Sequence, residues 1–160
     1  MTNLEKRTLI TLGTLVRSGE QGKGFGQILE VCDLREYGGI KARNADGSEV
    51  YTFRSVENWT LVPQIGMGVT WGYHSDSYPG TIIAISKSGK KITVQDDDFV
   101  WAGAPGEHGG PGGVEKFDYI RDLNGRTVDF RLNKRMEWRG AGGVAFAGLG
   151  HRRKHTNWEI

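Results

Sequence analysis

The 160-residue sequence contains one cysteine and four prolines, and nowhere does it show helical periodicity over ten residues. A single cysteine, Cys32, excludes an intramolecular disulfide and any cysteine-cluster metal site. Cys32 falls in the apolar run 28–34, where a small core residue is a simpler reading than a nucleophile. There is no apolar run of about 18 residues, so no membrane-spanning helix and no membrane partner are expected. The first residues lack the basic-then-apolar pattern of an export signal, and a reducing cytosol is the expected setting. Charge of one sign is lacking too: the net charge is +2, which excludes a polycation.

Glycine is abundant, at 25 residues. The glycines follow no Gly-X-Y period, which excludes collagen. They stand singly between apolar runs or in clusters, as many tight turns require. Hydrophobic residues make up 37% of the chain, enough for a core. The length suits one ordinary domain or two very small ones. Barrels of roughly 50–60 residues would each be marginal alone, so mutual packing or homo-oligomerisation would be the natural remedy.

Short alternating runs separated by turn signals recur along the chain. Thr11–Arg17, Gln27–Leu34, Ile40–Asn44, Glu49–Arg54 and Glu57–Val62 read as five strands, with a long glycine-rich first loop at Ser18–Gly26 and a hairpin at Ala45-Asp46-Gly47. Pro63 marks a boundary. Val69–Tyr73, Thr81–Ser86 and Lys91–Gln95 begin a second unit, with His74–Gly80 as its long polar loop. The twelve residues Ala102–Gly113 are too glycine-rich to pack and read as a loop. Glu115–Ile120, Arg126–Leu132, Met136–Trp138 and Val144–Leu149 then read as further strands. In Arg126–Leu132, Val128, Phe130 and Leu132 share one face. The expected fold is all-β: two tandem SH3-like or Tudor-like small barrels, residues 1–63 and 64–160, the second extended by C-terminal hairpins that complete it. Gly26–Val31 can be laid over Gly80–Ile85, a weak repeat that barrel geometry alone would produce.

The segments SKSGKKITVQDDD (Ser86–Asp98), NGRTVDFRLNKRMEWR (Asn124–Arg139) and GLGHRRKHTNW (Gly148–Trp158) together resemble a group of small accessory proteins encoded by bacteriophages and prophages. The resemblance covers about residues 66–158. It implies a phage accessory protein acting in a bacterial cytoplasm, and no particular activity.

Basic residues concentrate late in the chain. Between Arg121 and Lys154 stand nine arginines and lysines against Asp122, Asp129 and Glu137. The sharpest feature is His151-Arg152-Arg153-Lys154-His155 with Trp158: clustered cations attract phosphates and an indole can stack on a base. A solvated tail is the competing reading. His151 and His155 have the spacing of a two-ligand pair on a helix, but no third ligand is near and the basic surroundings repel a cation, so neither a metal nor another cofactor is expected. Lys134 and Arg135 could extend an anion-binding surface, although a polar hairpin tip is simpler. Tyr73 and His74, at the second unit's long loop, are further ligand candidates, while Trp71 reads as core and Tyr78 is open. His74-Ser75-Asp76 is no triad, because triad side chains converge from separate segments. Asp96–Asp98 match no calcium loop and read as a charged edge. Lys23-Gly24-Phe25-Gly26 could cradle an anion through backbone N–H groups, but the glycine spacing fits no phosphate-loop fingerprint.

No recognisable catalytic set accompanies these residues, so a binding protein is expected rather than an enzyme. Three partners fit: nucleic acid first; then a nucleotide immune signal that a phage protein would sequester; then a host or phage protein in an interaction or virion role.

Overall fold

Val16, Leu29, Val31, Ile40, Ala42 and Phe53 fall at alternating positions of their segments, and all are almost completely buried. An alternation of period two puts such residues on one face of a sheet. The computed structural model describes residues 10–36, 39–73, 75–104, 116–143, 145–152 and 154. It is all-β, and helix among the described residues is confined to short 3-10 turns; none is long and apolar enough to cross a membrane. The chain divides into two compact units, residues up to Val62 with Lys134–Met136, and Pro63–Asn133 with the residues from Glu137 on.

The first unit is a five-stranded antiparallel sheet of β1 (Leu15–Ser18), β2 (Ile28–Leu34), β3 (Ile40–Arg43), β4 (Val50–Phe53) and β5 (Trp59–Leu61), in the order β4-β3-β2-β1-β5. The β3–β4 turn is built by side chains: Asn44 Oδ1 accepts from the Glu49 amide and Asp46 Oδ1 from that of Ser48. Before β5, the Ser55 side chain caps the 3-10 turn Val56–Asn58 by accepting from the Glu57 amide. The β2–β3 register shifts between Val31 and Asp33, so Cys32 lies at an irregularity and is half-buried, not a core residue.

The second unit contains a closed six-stranded barrel. Its strands are β6 (Gly68–Tyr73), β7 (Asp76–Ile85), β8 (Lys91–Asp96), β11 (Thr127–Leu132), β12 (Trp138–Arg139) and β13 (Phe146–Leu149), closing in the order β11-β12-β13-β6-β7-β8. The strands that follow the glycine-rich stretch therefore complete the barrel begun before it. Of that stretch only Ala102–Ala104 is among the described residues. Between β8 and β11, β9 (Asp98–Trp101) and β10 (Phe117–Ile120) pair as a separate ribbon. Val69, Ile82, Ile92, Val94 and Phe130 fill the barrel with no measurable exposure. Each such side chain contributes about 1.5–3 kcal/mol of burial.

One expectation fails clearly. The supposed long loop His74–Gly80 is mostly strand, since β7 begins at Asp76 and Tyr73 pairs directly with it. Pro79 is tolerated there opposite Thr70, and its carbonyl accepts from the Asp97 amide at 3.0 Å.

Candidate functional site

The described part of the basic C-terminal segment lies along the barrel, where Arg152 and Lys154 are engaged. The Gly150 amide donates to Gly68 O at 2.8 Å, and Thr70 Oγ1 donates to His151 O at 3.0 Å. These two bonds bring Arg152 beside Asp97. Arg152 Nε donates to Asp97 Oδ2 at 2.7 Å and its Nη2 to Thr81 Oγ1 at 2.8 Å. Thr81 Oγ1 donates in turn to Asp97 Oδ2 at 2.7 Å, and Arg121 Nη1 to Asp97 Oδ1 at 2.8 Å. The Asp97 side chain is only 1% exposed, so the acidic run is more than a charged edge: its middle residue is a buried hub. Burial alone would push the Asp97 carboxyl up, but donors from Arg121, Thr81 and Arg152 hold it below the ordinary carboxylate range.

Neighbouring cations are similarly placed. Arg126 pairs with Asp96 at 3.2 Å and lies 4.9 Å from the Trp71 ring centroid, while Trp71 Nε1 donates to Asp96 Oδ1 at 2.7 Å. Trp71 is buried, in contact with Tyr78 at 4.9 Å between centroids. Lys154 Nζ stands 4.5 Å from the Tyr78 centroid and 5.7 Å from that of Phe99. Arg152 and Lys154 are thus anchoring groups, which rules out a fully solvated tail for this part of the segment. Lys134 and Arg135 occupy the exposed turn between β11 and β12, and Tyr73 is exposed at the end of β6. His74, Arg153, His155 and Trp158 lie outside the described residues. Among the described residues no three His, Cys, Asp or Glu side chains are grouped to hold a metal.

A different cationic site is built in the first unit. Lys23, Arg35, Val50, Tyr51, Thr52 and Arg54 line a groove of about 500 Å³. β4, the outermost strand of its sheet, supplies Val50, Tyr51 and Thr52, with Arg54 just past its end. Arg35 follows β2, where its amide donates to Gly39 O at 2.9 Å. Lys23 arrives from the β1–β2 loop, which two buried residues of β1 hold in place. Ser18 Oγ donates to Lys23 O at 2.7 Å, and Arg17 Nη1 donates to Gly26 O at 2.8 Å. Burial draws the Arg17 guanidinium below its ordinary value. The Lys23 ammonium donates to Thr52 O at 2.7 Å and pairs with Glu20 at 3.0 Å.

The loop must come close to the tyrosine. Gly24 has φ of +63°, and a Cβ there would lie 3.0 Å from Tyr51 Cε2. Tyr51 Oη donates to Glu49 Oε2, and that bond raises the phenol above its ordinary pKa. Arg35 and Arg54 are exposed, and neither has a carboxylate partner among the described residues. Two guanidinium groups that share a groove with an aromatic ring, without a carboxylate partner among the described residues, can receive a phosphate through paired N–H donors.

Of these residues only Lys23 belongs to a segment whose sequence suggests an anion site. Arg35, Tyr51 and Arg54 carry no motif; the one usable signal was the alternation in Glu49–Arg54, which marks a strand without showing that it is an edge. No protein-family model, no curated protein and no solved structure matches the chain.

Proposed function

We propose that this chain is a non-enzymatic accessory protein of phage type that binds a phosphate-bearing ligand, nucleic acid first, through the groove on its first unit. The observation that carries the reading is the pair Arg35 and Arg54, which line a groove of about 500 Å³ without a carboxylate partner among the described residues. The C-terminal cations support it less, because Arg152 is already neutralised by Asp97. The order β4-β3-β2-β1-β5, with a 3-10 turn ahead of β5, supports an SH3-like identity for this unit. The closed barrel of the second unit supports the tandem small-barrel reading more loosely.

Fluorescence anisotropy with labelled oligonucleotides tests the proposal. Binding should weaken with salt, with a log–log slope of about −1.4 if the two guanidinium groups meet single-stranded phosphates. Arg35→Glu/Arg54→Glu should abolish most of the binding and flatten that slope. Binding of equal strength in the double variant would overturn the assignment of the groove. The groove volume also suits a single nucleotide. Sequestration of a nucleotide signal is therefore the second reading, and tight binding of one mononucleotide or cyclic dinucleotide with none of an oligonucleotide would favour it.

A further inference from the structure

We propose that the ligand of the groove is a single-stranded nucleic acid, with one base stacked on Tyr51 and the flanking phosphates held by Arg35 and Arg54. This inference rests on reading the groove as a phosphate site, and it specifies what that site takes.

Three observations lead from phosphate to single strand. First, the groove that the cations line also contains an aromatic ring, Tyr51. A duplex keeps the faces of its bases stacked and would present the ring with backbone only, whereas a single strand offers a π-face at every residue. Second, the ring is fixed: Glu49 holds its hydroxyl, and Gly24 lies against its Cε2 edge. A held ring loses little freedom when a base stacks on it. Third, β4 is the last strand of its sheet, so no strand of that sheet pairs with its outer edge. An extended peptide would add to such an edge through main-chain bonds. Here the Thr52 carbonyl is already taken by the Lys23 ammonium. That bond removes one acceptor from strand addition.

The test compares a labelled single-stranded oligonucleotide, the same sequence as a duplex, and inorganic polyphosphate against wild type, Tyr51→Phe, Tyr51→Ala and Arg35→Glu/Arg54→Glu. The inference predicts that the single strand binds more tightly than the duplex. It also predicts that Tyr51→Phe retains affinity while Tyr51→Ala weakens single-strand binding by about 5- to 150-fold, the range that lost base stacking covers. Polyphosphate binding should be indifferent to Tyr51→Ala and sensitive to the charge reversals, and near-ultraviolet circular dichroism should show each variant folded. If duplex and single strand bind alike, depend on Arg35 and Arg54 and ignore Tyr51→Ala, the single-strand inference falls and the phosphate site stands. If no polyanion binds wild type at low salt, both fall.

Discussion

Arg152 meets Asp97 across 55 residues of chain, Nε to Oδ2 at 2.7 Å, and this contact fastens the segment after the last described strand onto the closed barrel. Asp97 is almost wholly enclosed while Arg152 retains 30% exposure, so the carboxylate bears most of the desolvation. Its remaining donors, Arg121 and Thr81, make the enclosure tolerable.

The Asp97 hub should set the acid stability of the second unit. Its carboxyl is depressed in the folded protein, so its contribution is fully present above the unfolded carboxylate value of about 3.9. That contribution is lost as pH falls from there through the lower folded value. Asp97→Asn leaves Arg121 and Arg152 without their counter-charge and should cost about 3–5 kcal/mol at pH 7. Urea unfolding between pH 2 and 7 checks both points: the wild-type stability should drop below pH 4, and the variant should show a weaker drop there.

Arg152→Ala and Arg35→Glu/Arg54→Glu should behave as opposites. The first removes an anchor and should lower the melting temperature while leaving oligonucleotide affinity close to wild type. The second touches exposed side chains without carboxylate partners among the described residues, so it should abolish affinity with a change in stability within about 0.5 kcal/mol. Parallel thermal melts and anisotropy titrations decide the matter. Loss of affinity in folded Arg152→Ala would return the binding site to the C-terminal segment.

Gly125 allows β8 and the start of β11 to approach each other. A Cβ there would collide with Asp96 O, in the same stretch where the Asp96 amide donates to Arg126 O at 2.8 Å. No flexible side chain is available to yield, so Gly125→Ala must displace backbone. The expected cost is about 1–3 kcal/mol or more, read as a lowered urea midpoint with an unchanged slope. An unaltered midpoint would mean that the hairpin relaxes freely.

The strand pattern was legible where local signals agreed. In Arg126–Leu132 alternation alone separates Val128 and Phe130 from Asp129 and Arg131, and Phe130 is fully buried. At Asp76–Gly80 the local composition of serine, proline and glycine reads as a loop, but pairing with β6 overrides it. The site was harder to see for a related reason. Lys23, Arg35 and Arg54 come one from each of three segments with no fixed spacing, and only the edge position of β4 gathers them. Conversely, the dense run at His151–His155 looks like a site, yet Asp97, 55 residues before Arg152, neutralises one of its charges. A linear pattern reports how many charges are present and not which are already paired.

Glu49 should tune the groove through Tyr51. Its carboxylate accepts the phenol's hydrogen bond and raises the tyrosine above its ordinary pKa of about 10. Glu49→Gln removes a negative charge beside the ring, so Tyr51 should ionise at lower pH, visible as an earlier step in the 295 nm absorbance titration assigned by comparison with Tyr51→Phe. The same substitution takes away a repulsion for incoming phosphates, and oligonucleotide affinity at neutral pH should rise. Because this repulsion lies at an exposed surface, salt should erode the gain. Affinity that instead falls in Glu49→Gln, with Tyr51→Phe unchanged, would show that the carboxylate helps to hold the ligand.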